Sequence, residues 1–141
     1  MRHELRGTIQ IFGFYYVAKA SPAGRRLRRW TIFQLIGGNL CISSITYAEL
    51  IYGAKHSSNF EKNNQAIQSL LSGIYILPFD SAAAWEAGDI MAYLATCGKP
   101  IGDRDALIAA HARALSMTLV THNTGEFSRI PELKIEDWLI A

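Results

Sequence analysis

The chain has 141 residues, half of them hydrophobic, with 18% charged and 11% aromatic; that suffices for a core without disulfide or metal support and excludes wholesale disorder. No apolar run approaches the roughly 18 residues of a spanning helix, which excludes an integral membrane protein. The net charge of +2 hides an asymmetry: residues 1–38 carry Arg2, Arg6, Lys19, Arg25, Arg26, Arg28 and Arg29 against the single acid Glu4, so the first quarter is strongly basic and the remainder mildly acidic.

A basic stretch points to nucleic acid or another polyanion, and an acidic body to gathered carboxylates. Cys41 and Cys97 stand singly in apolar surroundings, with no metal spacing and no disulfide framework; a reducing cytoplasm is the expected location. Near the amino terminus, Arg2 and Arg6 precede the apolar run from Ile9 to Val17 and the small residues Ala18-Lys19-Ala20, the outline of a secretory signal with a mature start near Ser21. Glu4, Gln10 and Arg25-Arg26-Leu27-Arg28-Arg29 oppose export. The other reading is a short buried strand followed by a solvated basic helix.

From residue 40 the punctuation is clearer. Leu40-Cys41-Ile42-Ser43 has strand length, after which Ser43 or Ser44 caps a helix from Ile45 to Tyr52 that Gly53 stops. A second helix is expected over 61–71, with Ala66, Ile67, Leu70 and Leu71 on one face. Ile74–Leu77 reads as a strand closed by Pro78. Asp80 then caps a long helix in which Ala84, Trp85, Gly88, Met91, Ala92 and Ala95 recur at helical spacing, and Gly98 ends it. A helix over 105–115 follows, capped by Asp103, with Leu107, Ile108 and Ala112 inward. Thr118–Thr121 is a third strand, and Lys134–Trp138 a last short one.

Short strands alternating with helices predict βαβ units and a parallel sheet, so chemistry belongs just beyond the strands' carboxyl ends. That rule points to Ser43 through Glu49, to Asp80 and to Thr121 through Glu126, and to the helix start at Asp103–Asp105 if it faces the same end. Glu49 interrupts an apolar helical run one turn beyond a strand end; it is either an exposed helical Glu or a site carboxylate. Asp103 and Asp105 either serve the helix start, as cap and dipole partner, or present a carboxylate that a hard divalent ion would take. Glu126 follows a strand in Thr121-His122-Asn123-Thr124-Gly125-Glu126-Phe127, where Asn123 supplies a carbonyl, a supporting hydrogen bond or a turn. His111 and His122 share no metal spacing. No phosphate-binding glycine loop and no nucleophile elbow is present, and neither cysteine has an evident histidine partner.

Taken together, Cys41 through Ala54, then Gly102-Asp103-Arg104-Asp105-Ala106-Leu107-Ile108-Ala109-Ala110-His111-Ala112, then Val120 through Phe127, closely resemble a PIN domain of the VapC group of toxin ribonucleases; the ending Ile130-Pro131 through Trp138 fits too. The resemblance covers about residues 38–139 in order and spacing. It implies a three-layer α/β/α domain with a short parallel sheet, and a Mg²⁺- or Mn²⁺-dependent endoribonuclease. The implied partners are a VapB-type antitoxin and an RNA substrate, in the nearest branch the anticodon stem-loop of initiator tRNA; dimers are common in the family. Carried over position by position, Glu49, Asp105 and Glu126 match its catalytic acids, with Asp103 a further metal ligand and Asn123, Ser43 and Thr121 in support. The implied chemistry is attack of water on a phosphodiester at a carboxylate-held ion, with basic residues on the RNA backbone and binding that weakens with salt.

One departure stands out. Family members begin with a hydrophobic strand ending in Asp-Thr-Asn, whose Asp is a central metal ligand, and residues 1–38 here contain no Asp. The run Thr8-Ile9-Gln10-Ile11-Phe12-Gly13-Phe14-Tyr15-Tyr16-Val17 permits codons that in a neighbouring frame spell Asp-Thr-Asn-Ile-Trp-Phe-Leu-Leu-Arg. The expectation is one PIN-like domain whose segment to about residue 38 is translated out of frame. Three functions follow: an active metal-dependent ribonuclease, a catalytically impaired PIN domain that only binds antitoxin or RNA, and a small exported protein. The first is expected of the family and the second of this chain.

Overall fold

The computed structural model describes residues 9–11, 40–121 and 123–137, with residues 9–11 and 40 by backbone alone. The expectations for Phe12–Val17, for the signal-like and basic stretches, for His122 and for Trp138 lie outside the described residues. In chain order the elements are β1 (Ile9–Ile11), β2 (Leu40–Ser43), α1 (Ser44–His56), α2 (Phe60–Leu70), β3 (Tyr75–Leu77), α3 (Ser81–Thr96), α4 (Asp103–Ala114), β4 (Thr118–Val120), α5 (Thr124–Phe127) and β5 (Ile135–Glu136).

The strands form one sheet in the order β3-β2-β1-β4-β5, and every neighbouring pair is parallel. From β1 the chain steps outward through β2 to β3, then crosses back to β4 on the other side of β1. With crossovers of one hand, that reversal sends connecting helices to both faces, which is the three-layer α/β/α arrangement. The same reversal opens a crevice beyond the carboxyl end of β1, between β2 and β4, the place such sheets use for ligands.

Local chemistry sets the helix starts. The Ser43 hydroxyl accepts from the Ile45 amide at 3.1 Å and caps α1, and Asp80 Oδ1 accepts from the Ala83 amide at 3.0 Å and caps α3. Both caps are legible as Ser or Asp before an apolar helical run. Asp103 is not a cap: Gly102 holds that position without a side-chain bond, and Asp103 is the first helical residue. Gly53 does not stop α1, which continues to His56. The two residues on either side of Gly53 are helix-compatible and Ala54 is buried, so packing overrides the glycine's cost.

The helix faces also differ from expectation. Along α3 the buried residues are Ala83, Ala87, Ile90 and Leu94, whereas Ala84, Trp85, Gly88, Met91, Ala92 and Ala95 all face outward and Trp85 is 72% exposed. Both stripes have helical spacing, so periodicity alone does not choose between them. The choice falls to the neighbour. Ala87, Ile90 and Leu94 of α3 form one buried cluster with Ile108, Ala109, Ala110 and Ala112 of α4 and with Leu119, Phe127 and Ile130. In α2, Ala66 is exposed while Ile67 and Leu70 are half-buried and Leu71 is buried. In α4, Ile108 and Ala112 are buried as expected and Leu107 is half-buried.

Two helices end alike. At the end of α3, Gly98 has φ 66°, its amide donates to the Ala95 carbonyl, and the Lys99 amide donates to Leu94. At the end of α4, Ser116 has φ 54°, its amide donates to Arg113, and the Met117 amide donates to Ala112. The closure is the same, but a side chain stands where glycine is favoured. Replacing Ser116 with Gly is therefore expected to stabilise the protein by about 0.5–1 kcal/mol, relief of left-handed strain outweighing the added freedom of the unfolded chain. Chemical denaturation of the two proteins measures this, and a destabilised Gly variant would contradict it.

Candidate active site

Three elements that follow strand ends, or approach them, each bring one carboxylate. Glu49 lies in the second turn of α1. Asp105 lies in the first turn of α4. Glu126 lies in α5, whose next residue, Phe127, is fully buried and anchors that short turn to the core. The structure couples them in pairs, Asp105 with Glu126 and Glu49 with Asp105. The Asp105 carboxyl is pushed above the usual carboxylate range by burial first, then by the Glu126 charge and a hydrogen bond with Glu126, with Arg104 opposing. Glu49 is pushed up by burial and, more weakly, by the charge of Asp105, again with Arg104 opposing. Like charges gathered in a half-buried crevice favour a proton or a cation there.

The surrounding groups orient these acids. Asn123 Nδ2 donates to Glu126 Oε2 at 3.1 Å, and the Asn123 amide donates to Thr121 Oγ1 at 3.0 Å. The Thr121 amide in turn donates to the Glu136 carbonyl at 2.9 Å, so the end of β4 is held by β5. Arg104 Nη1 stands 3.9 Å from Glu49 Oε2, a long and largely exposed contact. Asp103 is exposed and makes no hydrogen bond or ion pair with another described residue. Ser43 is fully buried as the cap of α1 and meets His111 rather than an acid.

Two residues escape sequence reasoning. Arg104, seen there only as the residue between Asp103 and Asp105, is the cation nearest Glu49. Thr46 is buried, and its Oγ1 has no hydrogen-bond partner among the described residues. Its spacing from Glu49, one helical turn earlier, is the signal that could have found it.

The donor set is all carboxylate and amide oxygen, the chemistry of hard divalent ions. Glu49, Asp105 and Glu126 fit that class by type and by the charge coupling of Asp105 with Glu126 and of Glu49 with Asp105, and the Thr46 hydroxyl, one turn before Glu49 on α1, is buried without a partner among the described residues. Even so, no group of three or more His, Cys, Asp or Glu side chains among the described residues is arranged to hold an ion.

Comparison with known proteins decides the family. The model of the PIN domain matches residues 14–133. The chain belongs to the PIN-domain family. Within it, the chain is 45% identical over 123 residues to the tRNA(fMet)-specific endonuclease VapC of Shigella flexneri, spanning 87% of this chain and 90% of that one. It is 41% identical over 124 residues to ribonuclease VapC2 of Haemophilus influenzae, spanning 88% and 91%. Among solved structures, the DNA-bound VapBC of Salmonella typhimurium superposes with a TM-score of 0.83 at 36% identity, covering 94% of this chain and 98% of that one. This PIN domain thus has the fold its sequence resembles. PIN-domain nucleases are generally dependent on divalent metal ions, and no helix among the described residues is long and apolar enough to cross a membrane.

The electrostatics of the metal-free crevice give a signed expectation. A carboxyl whose folded value is raised contributes most at low pH, and that contribution fades as pH rises through the folded value. Asp105→Asn should therefore stabilise the metal-free protein at about pH 7, with the gap closing towards about pH 3. The gain should stay under about 1 kcal/mol, because the group is only half-buried and solvent screens it. Denaturation midpoints across that range test it; a gap independent of pH would refute the assignment.

Proposed function

We propose that this chain is the toxin of a type II toxin–antitoxin pair, an endoribonuclease of the VapC kind acting in the cytoplasm on RNA, with initiator tRNA cut in the anticodon stem-loop as its target. The observation that carries the reading is the convergence of Glu49, Asp105 and Glu126 beyond the carboxyl ends of a parallel sheet, in a chain this similar to a tRNA(fMet)-specific endonuclease. A VapB-type antitoxin is the proposed partner, in line with the VapBC complexes among its structural neighbours. A second copy of the chain is proposed as a further one.

In this reading Glu49, Asp105 and Glu126 hold Mg²⁺ or Mn²⁺, with Asp103 close by on the same helix turn. The ion, when bound, supplies positive charge for a phosphodiester's oxygens and acidifies water beside it. Asn123 keeps Glu126 turned towards Asp105, and Thr121 and Ser43 hold the backbone on either side. Arg104, exposed beside Glu49, is placed to meet RNA phosphate once an ion takes over neutralisation of the acids.

A second reading concerns this chain in particular. Its strand β1 holds the centre of the sheet, and the run from Thr8 to Val17 permits codons that in a neighbouring frame spell Asp-Thr-Asn-Ile-Trp-Phe-Leu-Leu-Arg. We infer that the segment to about residue 38 is out of frame and that the chain, lacking its first acid, is a catalytically impaired PIN domain that retains antitoxin or RNA binding. Loss of a direct ligand should cost at least about 100-fold in cleavage, since loss of an outer-shell partner alone costs 10–100-fold.

Sequencing the DNA across codons 1–40 tests the frame, and assay of tRNA with Mg²⁺ or Mn²⁺ tests the activity. The expected result is a neighbouring frame that spells Asp-Thr-Asn. The frame-corrected chain then cleaves tRNA, Asp105→Asn abolishes that cleavage, and the present chain is slower by about 100-fold or more. Cleavage that survives Asp105→Asn would sink the site, and a neighbouring frame without the motif would sink the frame displacement.

A further inference from the structure

The acids of the site sit on separate helices, and a buried polar contact outside the site joins the start of α1 to α4. Ser43 ends β2 and caps α1, and it is completely buried. Its Oγ lies 2.7 Å from Nδ1 of His111, which is 2% exposed on α4. Phe79 presents its ring to the His111 ring at 79° with centroids 5.5 Å apart, and the Phe79 amide donates to Ser44 Oγ at 3.0 Å. The junction therefore joins the end of β2, the start of α1, the chain after β3 and the middle of α4. Burial lowers the pKa of the imidazole and so disfavours its charged form, with the charge of Asp80 opposing. A neutral ring shares one hydrogen bond with Ser43 in either tautomer.

The spacing along the two helices is matched. Glu49 lies six residues after Ser43, and Asp105 lies six residues before His111. Six residues are about 9 Å of helix. The contacts run in opposite chain order, Ser43 with His111 at one point and Glu49 with Arg104 and Asp105 at the other. One bond at the first point thus fixes the register of α1 against α4, and with it the separation of the two acids at the second.

We propose that His111, through its hydrogen bond to Ser43, is a positioning residue for the divalent-ion site, setting how far Glu49 stands from Asp105. This rests on the reading that those carboxylates hold a divalent ion. It makes no use of His111 as a ligand or a base.

Two substitutions separate positioning from packing. In His111→Asn the amide stands where Nδ1 stood and can keep the bond to Ser43; in His111→Gln it reaches towards the place of Nε2 and loses that bond. Mn²⁺ is titrated into the full chain, wild type and variants, and the bound ion is followed by its electron paramagnetic resonance spectrum, with thermal unfolding of the metal-free proteins alongside. The expected result is wild-type-like affinity and spectrum for Asn, and affinity lowered about 10-fold or more with an altered spectrum for Gln. Ser43→Ala should lower affinity at least as much as Gln does, because it removes the bond to His111 together with the cap of α1. If Asn and Gln bind Mn²⁺ alike, the proposal is overturned whatever their stability. If Gln does not fold while Asn does, Ser43→Ala makes the same comparison, and wild-type Mn²⁺ affinity there overturns it. A wild-type chain that binds no Mn²⁺ overturns the metal reading itself, and the positioning role falls with it.

Discussion

Nearly everything in this molecule depends on the burial of α4. Ala106, Ile108, Ala109, Ala110, His111 and Ala112 are all buried, in a helix of 12 residues. A helix can be enclosed on so many sides only if its side chains are small, because close approach of neighbouring backbones leaves no volume for larger ones. The alanines meet α3 on one flank and the core beneath β4 on the other. Asp105 and His111 are carried on this rigid rod, so a side chain at its start and one at its middle are fixed relative to each other. A site built on such an element is held more firmly than one built on loops.

Against that firm support the site itself is destabilising. Asp105 and Glu126 crowd one another, and Glu49 adds its charge from α1. Nothing in folding alone favours three carboxylates in one half-buried crevice. The protein keeps them there through neutral contacts that tolerate no displacement: Phe127 sunk in the core beside Glu126, Thr121 held by β5, and Ser43 bonded to His111. Such a conflict between local stability and global consistency is what functional sites show. Arg104 relieves part of it, but from an exposed position where solvent screens its charge.

The centre of the sheet lies in the segment inferred to be out of frame. β1 pairs with both β2 and β4 and is the only strand through which the two halves of the sheet communicate. A strand in that place serves the sheet through its backbone, which any sequence of extended residues can supply, whereas the ligand at its end is a matter of one side chain. A displaced reading frame can therefore leave the pairing in place while removing the acid.

Much of the architecture was legible in the residues themselves. The strands from Leu40, Tyr75 and Thr118, the caps at Ser43 and Asp80, and the closing turn at Gly98 all follow from short-range chemistry: apolar runs of strand length, a hydroxyl or carboxylate before a helix, and a left-handed residue after one. Glu49 and Glu126 were legible too, as carboxylates just beyond strand ends, and Asp105 as one at a helix start. What only the tertiary structure decided is which surfaces meet. In α3 two apolar stripes share one period, and the neighbouring alanines of α4 selected Ala83, Ala87, Ile90 and Leu94 rather than the stripe of Trp85. Packing of Ala54 carried α1 past Gly53. The pairing of Ser43 with His111, 68 residues apart in the chain, and the crowding of Asp105 against Glu126 have no local signature at all. Sequence patterns report the period of one element, but a contact between elements depends on the volumes and polar groups that both present at a particular place.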